Sequence, residues 1–396
     1  MTKLEIPRIK KPSLEVFIDR YFEPSLPVVI EGGLDGWRAI STWTPEHLAD
    51  VAGSRDVEVT TETDGYFNKP RMPETMSLRA YVALLQNPNS SAIAYIKQQD
   101  ISVLPELAAD VQPIPYASNT SIRLTNLWFG PGGTKTPLHF DRYENLFAQV
   151  YGKKSFELVH PEDLDRTYLR ALDSGAPHIS DVRCDAVDLE KHPKFAGARR
   201  AQVTLEKGEM LFLPAYWFHE VTSLETSISV NTWLQSKLSR FTTPGALREV
   251  AIAPFFLPPP ILFEQFEAHG LGALADHVEL LLRKERKAGA LLFAGFFLGS
   301  FLAYLGMQKG LQIEELLSPR TPEEDEAFAA SIVESSPLEA GTKESIRRWM
   351  DASLAARKKI VATNDFSGIG SDEDGKLALE ISNFIRSQTA ALGSES

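Results

Sequence analysis

The chain has 396 residues, 43% hydrophobic and 24% charged, the balance of a folded soluble protein with room for two cores. A net charge of -12 argues against a broad nucleic-acid-binding face. The single cysteine, Cys184, excludes an internal disulfide and any zinc site built on several thiolates. Residues 1–11 are polar and carry no apolar signal core, so a reducing cytoplasmic setting is expected, or a nuclear one in a eukaryote.

Helical patterns at 14–21, 45–52 and 78–85 accompany the first short strands, predicted at 28–30 and 57–60. Further strands are predicted at 122–129, 146–150, 156–159 and 228–234, and 210–213 is strand-like after the turn at Gly208-Glu209. Many short strands between Gly, Pro and Asp turns predict a mainly β sandwich or barrel over residues 1–240. Beyond Thr243, Pro254 and Pro258-Pro259-Pro260 break the chain. Helical patterns with one charged and one apolar face follow at 322–329, 342–358 and 376–391, so 241–396 reads as an α-helical C-terminal region. Residues 364–375 read as a polar loop and 393–396 as a disordered tail.

Residues 288–307 (AGALLFAGFFLGSFLAYLGM) contain no charge and meet the length rule for a membrane span. They follow Arg283, Lys284, Arg286 and Lys287 and include the small-residue pair Gly295 and Gly299. Small residues equally allow close helix approach in a soluble intersubunit bundle. That reading is preferred, because polar helical patterns follow that can cover the apolar faces.

His139-Phe140-Asp141 comes just after the turn Gly130-Pro131-Gly132-Gly133. In an extended segment, positions i and i+2 face the same side, so imidazole and carboxylate converge. Two histidines and one carboxylate are the usual protein share of a non-haem Fe(II) oxygenase site, and His219 is the natural third ligand. An isolated H-x-D triplet is weak evidence. His160-Pro161-Glu162 is a decoy: Pro161 opens a helix that turns the two side chains apart. The surroundings of His139 strengthen its case. Thr136, Asn145 and Lys154 lie close by, and alternation along 226–234 puts Ser227, Ser229, Asn231 and Trp233 on one face. Such a polar row belongs either in solvent or in a barrel that holds a polar ligand.

Residues 126–141, 145–161 and 208–233 together resemble the metal motifs of the JmjC/cupin-like hydroxylases. The resemblance covers roughly residues 10–235, and its nearest pattern is that of the asparaginyl hydroxylase that inhibits hypoxia-inducible factor. It implies a double-stranded β-helix, the jelly-roll barrel of cupins, with Fe(II) on His139, Asp141 and His219 and with 2-oxoglutarate and O2 as cosubstrates. Lys154 matches the lysine that pairs with the distal carboxylate of 2-oxoglutarate; Thr136 and Tyr95 match its hydroxyl neighbours. Asn145 and Asn231 match pocket asparagines near the metal. Asn126 and Trp128 stand at cosubstrate positions where that hydroxylase has leucines, and Trp233 is assigned to the substrate pocket.

The implied activity is hydroxylation of a C–H bond, on a protein side chain in the leading reading, with release of succinate and CO2. A tRNA base or small metabolite as substrate is the alternative within enzymes, and a non-catalytic cupin is the alternative outside them. No reader module or basic tail supports histone demethylation. The C-terminal helices are expected to form a homodimer, with membrane association through 288–307 as the lesser alternative. A polypeptide partner is expected and a nucleic acid is not. Residues 163–200 carry no legible substrate code.

Overall fold

The short, turn-bounded apolar runs become strands, and all of those described fall before residue 236 in the computed structural model. The structure describes residues 4–68, 71–87, 93–117, 121–171, 174–252, 272–318, 322–363 and 370–393. The proline break at 258–260 with the rest of 253–271, loop residues 364–369 and tail residues 394–396 lie outside the described residues. The chain divides into two units, Met1–Ser236 and Lys237–Ser396.

In the first unit the strands are β1 (Arg8–Lys10), β2 (Val28–Glu31), β3 (Asp56–Glu62), β4 (Glu74–Ser77), β5 (Ile93–Asp100), β6 (Ile122–Gly130) and β7 (Lys135–Phe140). They continue with β8 (Glu144–Tyr151), β9 (Lys154–Val159), β10 (Arg200–Leu205), β11 (Met210–Leu213), β12 (Phe218–Ser223) and β13 (Ser227–Leu234). One sheet has the order β1-β2-β11-β8-β13-β6-β5-β3-β4, and the other has the order β10-β9-β12-β7. This is the expected jelly-roll arrangement of a cupin-like domain.

Two cores explain the alternation. Met210 and Phe212 of β11 enter a core with Trp43, Leu48, Tyr81, Phe129 and Val230, roofed by helices that include Pro45–Val51 and Leu78–Leu85. Leu211 and Leu213 point the other way and join Phe147, Phe156, Leu158 and Val203 between the sheets. The large sheet is therefore covered on both faces, and β2 and β11 accordingly read as nearly continuous apolar runs. Fully buried Phe212 packs edge-on against Phe17 at 5.0 Å between centroids. Truncating such a phenylalanine costs about 3–5 kcal/mol.

The second unit is helical. Its helix Lys287–Gln308 is long and apolar enough to cross a membrane, yet most of its apolar stretch is buried. The cover comes from helices Gly272–Arg283, Ala340–Thr363 and Asp372–Gly393 of the same chain. Gly295 lies against Ser353, where an added Cβ would meet the hydroxyl oxygen at 1.7 Å. As the helical patterns beyond residue 307 implied, the chain's own amphipathic helices cover this segment, burying residues such as Trp349, Met350, Ile381 and Ile385.

Candidate active site

Strand pairing brings the histidines together. In the β7–β12 ladder His139 stands directly opposite His219, with a bulge between His219 and Val221. Asp141 follows β7 immediately, so its carboxylate closes the triangle: Oδ1 lies 3.8 Å from His139 Nε2, and Oδ2 lies 3.7 Å from His219 Nε2. Two atoms bound to one ion at about 2.1 Å each can be at most about 4.2 Å apart, so both distances suit a shared ion. All three ligand atoms fall within 4.8 Å of one another.

The backbone fixes which ring nitrogens face inward. His139 Nδ1 is 2.7 Å from the Pro137 carbonyl and His219 Nδ1 is 3.1 Å from that of Trp217. Each Nδ1–H donates to its carbonyl, leaving Nε2 with a lone pair for a metal. Burial, then the neighbouring His219, pushes the His139 pKa down to about 3, and burial pushes that of His219 down to about 4. Both rings are thus neutral ligands at physiological pH. His160 lies elsewhere: it caps the helix Pro161–Arg166 by accepting from the Glu162 N–H at 3.2 Å, as expected of a decoy.

A cavity of about 290 Å³ opens over the triad and is lined by Tyr95, Trp128, Thr136, Asn145, Lys154, Asn231 and Trp233 as well. At its inner end Lys154 is 1% exposed, and its ammonium donates to the Tyr95 hydroxyl at 3.2 Å. Thr136 hydrogen-bonds the same tyrosine hydroxyl. No carboxylate pairs with Lys154 among the described residues, and burial pushes its pKa down to about 7. A buried ammonium beside two hydroxyls and without an anion is a receptor for a carboxylate. Gly130 is required here, because a Cβ would lie 2.5 Å from the Tyr95 ring.

The polar row of β13 faces this interior. Asn231 accepts at Oδ1 from Trp128 Nε1 at 2.6 Å and from Asn126 Nδ2 at 3.2 Å, and it donates to Asn145 Oδ1 at 3.1 Å. Trp128 therefore contributes an aromatic wall, its N–H already used. Asn126 is a correction: it is fully buried, it does not line the cavity, and its amide is tied to Asn231 across the β6–β13 pair. Trp233 stacks on Tyr143 at 5.6 Å, with its indole N–H buried and without a protein partner.

Lys97, Gln98 and His178 also line the cavity, and the sequence reading assigned them no role. Lys97 was findable, since it is two residues from Tyr95 on the same strand. His178 lies in an irregular segment after residue 166, joined to the site by a bridge between His139 and Ile179, and no periodicity could have exposed it.

A jelly roll that sets two histidines and one carboxylate in a polar cavity is a cupin with a metal-ligating donor set. The chain belongs to the cupin-like domain family, whose sequence profile matches residues 13–240. Lysine-specific demethylase 8 of Xenopus tropicalis is 34% identical over 238 residues, covering 58% of this chain and 52% of that protein. The human bifunctional peptidase and (3S)-lysyl hydroxylase JMJD7 is 29% identical over 270 residues, covering 58% of this chain and 84% of that protein. The tRNA wybutosine-synthesizing protein 5 of Mus musculus is 28% identical over 253 residues, covering 58% and 77%. The chain spans about half the length of relatives such as the first of these. JmjC members of this family use Fe(II), 2-oxoglutarate and O2, and the donor set at His139, Asp141 and His219 fits that metal.

Proposed function

We propose that the protein is an Fe(II)- and 2-oxoglutarate-dependent dioxygenase that hydroxylates a C–H bond on a protein side chain. The observation that carries this reading is the pairing, in one cavity, of the His139–Asp141–His219 cluster with the uncompensated buried ammonium of Lys154. His139, Asp141 and His219 would hold the iron on one face, leaving the other positions to cosubstrate and O2. Iron held there would activate O2, the oxidant, so that one oxygen atom enters the substrate as hydroxyl and the other enters succinate as 2-oxoglutarate loses CO2.

The protein's share is placement. Lys154, Tyr95 and Thr136 bind the distal carboxylate and thereby aim the keto-acid end at the triad. Trp128, Phe147 and Phe156 wall that end of the cavity with apolar surface and limit water. The acidic chain and the relatives named for lysine support a polypeptide substrate, and the relative named for tRNA supports a second reading on RNA. The test incubates the enzyme with protein and RNA fractions under Fe(II), 2-oxoglutarate and O2 and locates the added oxygen by mass spectrometry. Oxygen on protein is expected. Oxygen on RNA alone would overturn the polypeptide assignment.

A further inference from the structure

We propose that Lys97 selects a substrate whose reacting side chain bears a carboxylate, an aspartyl or glutamyl residue of a polypeptide, and excludes lysyl and arginyl side chains. The inference deepens the oxygenase reading and rests on it. Tyr95 and Lys97 are two positions apart on β5, and both line the cavity. Tyr95 belongs to the inner end with Lys154. Lys97 is within electrostatic reach of Asp141 and His178 instead, so the two lysines serve different parts of the cavity.

Charge decides what fits between them. Asp141 is the one acid among the described residues that line the cavity. A divalent iron, Asp141, the 2-oxoglutarate dianion and the Lys154 ammonium together carry no net charge. Lys97 is then a half-buried positive charge with no ion-pair partner among the described residues. The surroundings do not neutralise it. His178 is also within reach of Arg142 and of Arg170, and Arg170 is engaged by Asp181 at 3.2 Å. A cationic side chain entering here would meet Lys97 with no acid to receive it, whereas a carboxylate completes the pair.

The test uses the full-length enzyme reconstituted with Fe(II) and 2-oxoglutarate, and peptide pools that differ only in one fixed central residue. Binding is read by fluorescence anisotropy under nitrogen, and hydroxylation by a gain of one oxygen in air. The wild type is expected to bind and modify Asp- and Glu-fixed pools at least about tenfold better than Lys- and Arg-fixed pools. Lys97→Glu should reverse that order, and Lys97→Gln should level it. Preference of the wild type for Lys or Arg pools, an order unchanged in Lys97→Glu, or oxygen found on RNA with none on any pool would overturn the inference. So would a raised 2-oxoglutarate KM in Lys97→Gln with unchanged pool preference, which would assign Lys97 to the cosubstrate. A wild type that forms no succinate at all would instead defeat the oxygenase reading.

Discussion

His139 and His219 face each other across the β7–β12 pair with their ring centroids 4.2 Å apart, each held by an Nδ1 contact to the carbonyl two residues before it. Both are preceded, two positions earlier, by a residue whose carbonyl is free to receive the ring, so one local device is used twice. The metal site is thus written into strand register, and register is sensitive to one-residue slips.

The first prediction concerns this triad. Asp141→Ala and His219→Ala should each reduce Fe(II)-dependent 2-oxoglutarate turnover to background while preserving the circular dichroism of the native protein. His160→Ala should leave turnover near the wild-type rate, because His160 lies outside the cavity, capping a short helix and packing edge-on against Trp217. Turnover and bound iron, measured side by side, check both statements.

Lys154→Met removes the ammonium from a site 1% exposed. Truncating one member of a buried charge pair costs roughly 2–5 kcal/mol. The 2-oxoglutarate KM should therefore rise by well over about tenfold. Titration of succinate formation against cosubstrate gives the number.

The pH dependence has a definite sign. Burial holds the Lys154 pKa down to about 7 in the free enzyme, but the bound carboxylate requires the charged form. Below that pH the ammonium is already present and cosubstrate affinity is flat with respect to this group. Above it, binding must take up a proton, so the KM should rise by as much as about tenfold per pH unit. In Lys154→Met this rise should vanish.

Much of the site was legible because its signals are local. An H-x-D triplet on a strand, a lysine at the start of the next-but-one strand and an alternating polar row all survive as patterns in one dimension. Asn126 was misplaced for a related reason. Alternation puts it on the same face of β6 as Trp128, but whether a residue on that face reaches the cavity depends on its neighbour across the sheet, and Asn231 stands there. His178 needed the third dimension, since only packing brings its irregular segment to the cavity that Asp141 lines. The last two helices were read short at both ends, Ala340–Thr363 and Asp372–Gly393 extending beyond 342–358 and 376–391. Terminal turns carry no apolar periodicity to mark them.

The apolar helix Lys287–Gln308 yields a stability prediction. Gly295→Leu places a side chain where a Cβ already overlaps Ser353, and overpacking of this kind typically costs about 1–3 kcal/mol. The melting temperature should fall by several degrees. Gly341→Leu is the control, since a Cβ at Gly341 meets nothing within 4 Å. Differential scanning calorimetry on both variants distinguishes them.

Because this helix is covered by its own chain, the protein should be recovered without detergent. Expression followed by ultracentrifugation should leave it in the supernatant. Recovery from the membrane pellet alone would show that the span-length helix has a lipid-facing role.

The oxygenase assignment is most directly tested by supplying the purified protein with Fe(II), 2-oxoglutarate and O2 and quantifying succinate. Succinate formation should require both the metal and O2 and be lost in Asp141→Ala. Protein that binds Fe(II) and 2-oxoglutarate yet forms no succinate with any protein or RNA fraction, or succinate formation that persists in Asp141→Ala, would contradict it.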